Sequence, residues 1–292
     1  MLSVLIPTYN FSVFSLVKEL HSQLLIENIP FEIICIDDGS LSDLNIENQK
    51  IVSFSHVSFT ALKDNIGRSA IRNLLSQKAQ FSWLLFLDAD VYPTSKSFIK
   101  NYLNSLQKGC KVFCGGLRYD NNPEILQLLR YKYGKKHEEI SLKNRQKNPE
   151  KYFFTSNFLI SKNVFSSMLF DERLKDYGRE DLLFSLMLQK NRHPICHIEN
   201  EVFHLGVEDD VLFVEKTKKA MRNLLFLNKN YHFIKHKVPL LQLLSYFKKV
   251  RFSNYLAKKS NFFEQLAIRK TSVFFLNCLK ISYLCKLDRN DG

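Results

Sequence analysis

Long apolar runs are missing from this chain. No stretch approaches the roughly 18 consecutive apolar residues that a membrane-spanning helix requires, although hydrophobic residues make up 45% of its 292. Glycine and proline are scarce, at nine and seven, which excludes a collagenous or low-complexity chain. Six cysteines, at 35, 110, 114, 196, 278 and 285, form no paired zinc spacing and read as reduced, buried thiols of a cytosolic protein. The N-terminal MLSVLIPTYN lacks a basic leader and a cleavage site, so no signal peptide is expected. No internal repeat is found. What remains is apolar sequence in short pieces, enough for the core of one large α/β domain with an appendage.

Charge is present in quantity but unevenly placed. The net +13 arises entirely after residue 211: residues 1–211 hold 25 basic and 25 acidic residues, whereas 212–292 hold 17 basic against 4 acidic. An asymmetry this sharp predicts a separate functional surface. We therefore divide the chain into a catalytic-type domain, 1–207, and a basic, amphipathic helical region, 208–292. From about 208 onward apolar and basic residues recur at helical spacing, as in VPLLQLLSYFKKVRF and TSVFFLNCLKISYLCK. Such helices suit an anionic bilayer surface, and no nucleic-acid motif is present to favour the other polyanion.

The first part alternates β-type and helical segments. Ser3–Ile6 is an apolar run stopping at Pro7, followed by Phe14, Val17, Leu20 and Leu24 at helical spacing. Phe31–Ile36, Ile51–Phe54, Trp83–Leu87 and Lys111–Cys114 read as further strands, with a helix from about Asn65 and Gly67 through Leu75. Strand–helix alternation implies crossover connections and a mostly parallel sheet covered on both faces. Residues 118–152 are polar and mixed in charge, and read as a flap or as exposed helices. Order resumes with a strand in 153–161, a helix opened by Glu180 and Asp181, and a short strand at 195–198, closely followed by Val202-Phe203-His204-Leu205-Gly206.

Ligands of such sheets bind beyond the carboxyl ends of the strands. The polar clusters fall there: PTYN (7–10), DDGS (37–40) and DAD (88–90). Two carboxylates two residues apart repel one another unless a cation compensates them. Mg²⁺ or Mn²⁺ does so with one or two carboxylates, completing its shell from water and diphosphate oxygens. Asp88-Ala89-Asp90 after an apolar strand is therefore a candidate metal–diphosphate clamp. A bare D-x-D triplet also occurs in surface loops.

The ordered set PTYN, DDGS, NIGRSAIRN (65–73), LLFLDAD (84–90), GRED (178–181) and FHLG (203–206) resembles the family 2 glycosyltransferases of GT-A fold, across roughly residues 1–206. The resemblance implies a UDP-sugar donor and direct, inverting transfer to a glycan or lipid-linked acceptor in surface polysaccharide synthesis, on the cytoplasmic face of a membrane. It implies donor contacts from Pro7, Thr8 and Tyr9, with Tyr9 stacked on the pyrimidine. Asp37 and Asp38 follow at the second strand, where the acceptor-only carboxylate of Asp38 reads the base imide. Asn65, Gly67, Arg68 and Arg72 join them, the two arginines one helical turn apart to neutralise phosphate or fix the aspartates. Asp88 and Ala89 face ribose or diphosphate. Asp90 ligates Mn²⁺ or Mg²⁺, with Asp88 and His204 as further ligands.

Asp181 is the expected base, taking the acceptor hydroxyl's proton at a helix N-terminus that favours its ionised form. Glu180 is the alternative base or an acceptor-orienting group. Asp37-Asp38 also suits a plain turn before Gly39, and Ser156 and Asn157 suit either an acceptor pocket or a turn. Two other functions use a similar sheet. A sugar-phosphate nucleotidyltransferase opens with a Gly-rich loop carrying a basic residue, and PTYNFS has neither. A non-catalytic membrane- or nucleic-acid-binding protein is the other.

Overall fold

The computed structural model describes residues 1–290. The chain divides into two compact units, one comprising 1–120, 137–175 and 180–206, the other 121–136, 176–179 and 207–292.

The first unit is built on a seven-stranded sheet. Its strands in chain order are β1 (Leu2–Thr8), β2 (Phe31–Asp37), β3 (Val57–Ala61), β4 (Trp83–Leu87), β6 (Val112–Cys114), β8 (Asn157–Ser161) and β9 (Ile195–His197). Between them in sequence come β5 (Val91–Pro93) and β7 (Leu117–Arg118), which with β10 (Val202–His204) form a second, three-stranded sheet in the order β5-β10-β7. The large sheet runs β3-β2-β1-β4-β8-β6-β9. β1, β2, β3 and β4 are mutually parallel, and β8 runs antiparallel between β4 and β6. The strand order reverses between β1 and β4, the switch point at which such sheets open a crevice at their carboxyl ends.

The apolar runs lack alternation because both faces are covered. Val4, Ile6, Ile33, Cys35, Leu85 and Leu87 pack on one side against Val17, Leu20 and Leu24 of the helix Phe14–Ile26. Leu5, Ile34, Ile36, Leu84 and Phe86 pack on the other against Ile71 and Leu75 of the helix Arg68–Lys78 and against Phe184 and Leu188 of the helix Glu180–Lys190. Phe86 stacks on Phe158 and Phe165 at ring-centroid distances of 4.8 and 5.0 Å. Truncating such a fully buried ring costs about 3–5 kcal/mol.

Four expectations need correction. Ile51–Phe54 is not a strand: Gln49–Ser53 is a 3-10 helix in which only Ile51 is buried, and the strand is β3, six residues later. β3 is an edge strand whose residues are half-buried or exposed, so its weak apolar pattern hid it. β1 does not stop at Pro7 but runs to Thr8. The β4 partner ends at Leu5, so the N–H that Pro7 lacks interrupts no ladder there. The polar stretch 118–152, read as a flap or exposed helices, is helical but only partly exposed: Leu142–Lys147 buries Arg145 alone, whereas Leu129–His137 buries four residues. It holds the helices Leu129–His137 and Leu142–Lys147, with Arg130 and Arg145 buried. Finally, Cys110 and Cys196 are joined in a disulfide, Cα–Cα 6.5 Å, where reduced thiols were expected. The parallel pairing of β6 with β9 brings together two cysteines 86 residues apart, which spacing rules cannot see. Cys35, Cys114, Cys278 and Cys285 are free.

The second unit is helical: Asp210–Asn230, Pro239–Lys249, Ser253–Lys258, Ser260–Arg269 and Val273–Asn290. Asp209 caps the first of these, its carboxylate accepting the N–H groups of Val211 and Leu212 at 2.9 Å each. Leu129, Phe213, Val214, Ala267, Leu276 and Leu279 form one apolar cluster within it. Among the described residues no helix is long and apolar enough to cross a membrane.

Candidate active site

Three of the quoted motifs end at neighbouring strand termini. Thr8 lies opposite Asp37 in the β1–β2 register, and the N–H of Asp38 donates to the Thr8 carbonyl at 2.9 Å. β4, on the other side of β1, ends at Leu87, so Asp88, Ala89 and Asp90 follow at the same rim. One cleft opens there. Pro7, Thr8 and Tyr9 line it from β1, Asp38 from β2, and Asp88, Ala89 and Asp90 from β4. Arg68, Ile71 and Arg72 line it from the helix Arg68–Lys78, and Phe11 completes it. Tyr9 is exposed, available to a planar ligand, and the Thr8 hydroxyl is buried without a hydrogen-bond partner. A buried orphan hydroxyl in a cleft wall marks a place where a ligand supplies the partner.

Asp38 shows why this loop folds as it does. Its two carboxylate oxygens accept the N–H groups of Ile66 and Gly67 at 2.8 and 3.0 Å, pinning the start of the next helix to the end of β2. Gly39 turns beneath it with φ +68°, and a Cβ there would lie 2.5 Å from the Asp64 carbonyl carbon. Burial raises the Asp38 pKa, against the lowering effect of the two N–H donors. Each oxygen keeps a second lone pair for a ligand donor. Asp37 does not line the cleft: its Oδ2 accepts from the Ser40 N–H at 2.9 Å and from the Asn45 amide at 3.1 Å, closing the DDGS turn, while its Oδ1 is buried without a partner.

Basic and acidic groups meet beneath the cleft. Arg72 Nη2 lies 2.5 Å from Asp88 Oδ1, and both Arg68 and Arg72 place an Nη1 3.8 Å from Glu180 Oε1. Burial would raise the Asp88 pKa, but the charges of Arg72 and then Arg68, with the hydrogen bond from Arg72, outweigh it and hold Asp88 below the usual carboxylate range. Glu180 is buried, whereas Asp181, the next residue of the same helix, is half-buried and accepts the Leu182 N–H at 2.7 Å.

Asp90 faces the second sheet. β10 pairs antiparallel with β5, His204 opposite Val91, and the Leu205 N–H donates to the Asp90 carbonyl at 2.8 Å. This sets His204 Nε2 3.8 Å from Asp90 Oδ2. Tyr119 stacks on the His204 ring at 5.4 Å between centroids, and its hydroxyl donates to Glu138. Gly206 packs directly against the Asp90 carboxylate, and any Cβ there would overlap it. Among the described residues no group of three or more His, Cys, Asp and Glu could hold a metal ion on protein donors alone. The donor set fits a hard cation that completes its shell from water and phosphate oxygens: a carboxylate beside an imidazole, the carboxylate seated against a glycine that leaves room for it.

Two pairs of expected residues lie outside this cleft. Asn65 and Gly67 line a neighbouring cleft with Ile66, Ala70, Leu74, Gln77, Glu172 and Lys175. Ser156 and Asn157 are buried, and Asn157 is tied to the Tyr102 hydroxyl at 2.7 Å and to the Gly116 and Asn200 carbonyls at 3.0 and 2.9 Å, the structural-turn alternative. Sequence reasoning missed Tyr119 and Glu138, which lie in the polar stretch and carry no motif. It also missed the role of Gly206, although FHLG contains it.

The cleft at the switch point of a mostly parallel sheet, rimmed by acids from β2 and β4, is that of the GT-A transferases. The family described as Glycosyl transferase family 2 matches residues 3–169, more than half of the chain, and the chain belongs to that family. Among solved structures, a mannosyltransferase from Pyrobaculum calidifontis, PcManGT, in complex with GDP-Man and Mn²⁺ superposes with TM-score 0.60 at 11% identity, over 99% of this chain and 86% of that one. S. aureus TarS 1-349 in complex with UDP-GlcNAc gives 0.53 at 17%, over 99% and 91%. Among curated relatives, a chondroitin synthase of Pasteurella multocida is 25% identical over 64% of this chain, and a poly(ribitol-phosphate) beta-glucosyltransferase of Bacillus spizizenii is 24% identical over 88%. The chain spans 23% and 44% of the lengths of these two relatives.

Proposed function

We propose that this chain is an inverting, metal-dependent glycosyltransferase that moves a sugar from a UDP-sugar to a hydroxyl of a glycan or lipid-linked acceptor in surface polysaccharide synthesis. The convergence of Asp38, Arg72, Asp88 and Asp90 on one cleft beside the unpartnered Thr8 hydroxyl carries this reading. The UDP-GlcNAc complex of TarS and the polymer-building names of the curated relatives support the donor and acceptor classes.

In this reading Tyr9 stacks on the base and Asp38 accepts its imide N–H. Asp88, held ionised by Arg72, accepts from ribose or faces the diphosphate. Asp90 and His204 would hold Mn²⁺ or Mg²⁺, which when bound offsets negative charge on the departing diphosphate. Asp181 accepts the proton of the acceptor hydroxyl while that oxygen bonds to the anomeric carbon. The bond from that carbon to the diphosphate oxygen breaks as the new one forms, so configuration inverts and no covalent enzyme intermediate arises. Glu180, engaged with Arg68 and Arg72, orients this helix start. The basic helical region, 208–292, brings the enzyme to an anionic membrane surface on the cytoplasmic side.

Isothermal titration with UDP and with GDP, each with and without Mn²⁺, tests the donor. Metal-linked UDP binding is expected. Binding of neither nucleotide rejects the reading, and tighter binding of GDP moves the donor to the class bound by PcManGT. A donor screen read by product mass then names the sugar.

A further inference from the structure

Residues 239–263 contain no acidic residue and five basic ones, Lys248, Lys249, Arg251, Lys258 and Lys259. The helices of this stretch bury Leu241, Leu244 and Ala257, the last two against Cys285. Their outer side is aromatic. Tyr246, Tyr255 and Phe262 are 59, 54 and 54% exposed and Phe252 is 43% exposed. These are not scattered: Tyr246 meets Phe247, Phe247 meets Phe252 and Phe252 meets Tyr255, at centroid distances of 5.7, 5.8 and 5.1 Å. Lys259 bridges onward, its ammonium 5.6 Å from the Tyr255 ring and 5.8 Å from that of Phe262. A contiguous exposed aromatic patch in water is unfavourable unless something covers it.

A second observation says what does. A cleft lined by Ala257, Lys258, Asn261, Lys286 and Arg289 presents three cationic side chains and an amide. Three of its lining residues, Ala257, Lys258 and Asn261, lie in sequence between Tyr255 and Phe262 of the ridge, the other two on the helix Val273–Asn290, and its chemistry is that of a phosphate receptor. Aromatic rings that sit at an apolar–aqueous boundary beside a cationic cleft match a phospholipid headgroup layer, with rings at the acyl boundary and phosphate in the cleft.

We infer that the ridge Tyr246, Phe252, Tyr255 and Phe262, with the cleft of Lys258, Lys286 and Arg289, is the surface that docks on an anionic phospholipid bilayer. This rests on the membrane reading given above and names the residues that perform it.

Co-sedimentation of the full chain with vesicles of phosphatidylcholine alone, or mixed with phosphatidylglycerol, tests it. Wild type is expected to bind only the anionic vesicles, and less at high salt. The triple variant Lys258→Gln/Lys286→Gln/Arg289→Gln is expected to lose about a hundredfold in partitioning, at roughly fivefold per charge. Serine at all four ridge positions is expected to abolish binding while UDP affinity is unchanged. Phe252→Trp gives a test without loss of binding: bromolipid should quench its fluorescence beyond the wild-type level due to Trp83. Wild type that binds no vesicle overturns the membrane reading itself. Wild type that binds while the ridge and cleft variants bind equally, or Phe252→Trp left unquenched, overturns this assignment alone. Capture of duplex DNA or RNA in place of vesicles reassigns the surface to nucleic acid and overturns it as well.

Discussion

Arg72 and Asp88 are joined by a 2.5 Å contact that ties the helix Arg68–Lys78 to the end of β4, with Arg72 almost fully buried. Removing one member of such a pair leaves a buried charge without compensation. Arg72→Leu is expected to destabilise the fold by about 3–5 kcal/mol. Adding Asp88→Asn should restore at least about 1 kcal/mol, because the orphaned charge goes with it. Urea unfolding of the two single variants and the double variant measures the coupling. Strict additivity would mean that the pair does not interact in solution.

Asp181 and Glu180 are adjacent but differently placed. Glu180 is buried near Arg68 and Arg72, whereas Asp181 is half-buried. Asp181→Asn is expected to lower kcat by about 10²–10⁴, the usual worth of a positioned base, with UDP affinity unchanged. Glu180→Gln should instead weaken donor binding and lower stability, since it loosens both arginines. Full turnover by Asp181→Asn, with loss of turnover in Glu180→Gln at unchanged UDP affinity, would transfer the base to Glu180.

Gly206 leaves space that the Asp90 carboxylate fills. Gly206→Ala must push that carboxylate aside and alter its approach to His204, which stands 3.8 Å away. The expected result is a loss of the Mn²⁺-dependent part of UDP affinity, with the metal-free affinity retained. Titration with UDP, with and without Mn²⁺, separates the two. An unchanged Mn²⁺ increment would remove Asp90 from the metal site.

Much of this site was legible because strand ends are local events. An apolar run that stops at acids locates a sheet rim, and PTYN, DDGS and DAD did so for β1, β2 and β4. What was not legible depends on pairing across long separations. Cys110 meets Cys196 only through β6–β9, and His204 was linked to Asp90 only by the family resemblance, because the antiparallel β5–β10 ladder that joins them is not a local event. Arg145 looked like one of many basic residues in a polar stretch, yet it is fully buried and donates to the Ile140 and Ile198 carbonyls at 3.0 and 3.1 Å. Composition marks a residue as polar, not the buried carbonyls it serves. β3 was displaced because an edge strand needs no strong apolar pattern.

His197, at the end of β9, supplies a pH dependence. Its Nε2 lies 2.9 Å from the Pro149 carbonyl and its Nδ1 3.4 Å from Nη1 of Arg145. The neutral ring with its proton on Nε2 donates to Pro149 and accepts from Arg145. A second proton on Nδ1 would face the guanidinium. Burial first, and the Arg145 charge with it, lower the pKa from 6.5 to about 4, against the Pro149 hydrogen bond. The unfolded chain therefore binds a proton that the folded chain refuses across this window. Folding stability is expected to fall as the pH drops from 6.5 towards 4, by about 3 kcal/mol in all. His197→Gln can keep the donor to Pro149 but cannot titrate, so its stability should be flatter over the same range. The carboxylates are the same in both proteins and contribute equally to both slopes. Urea unfolding at a series of pH values gives the two slopes, and identical slopes would mean that His197 is protonated in the folded state.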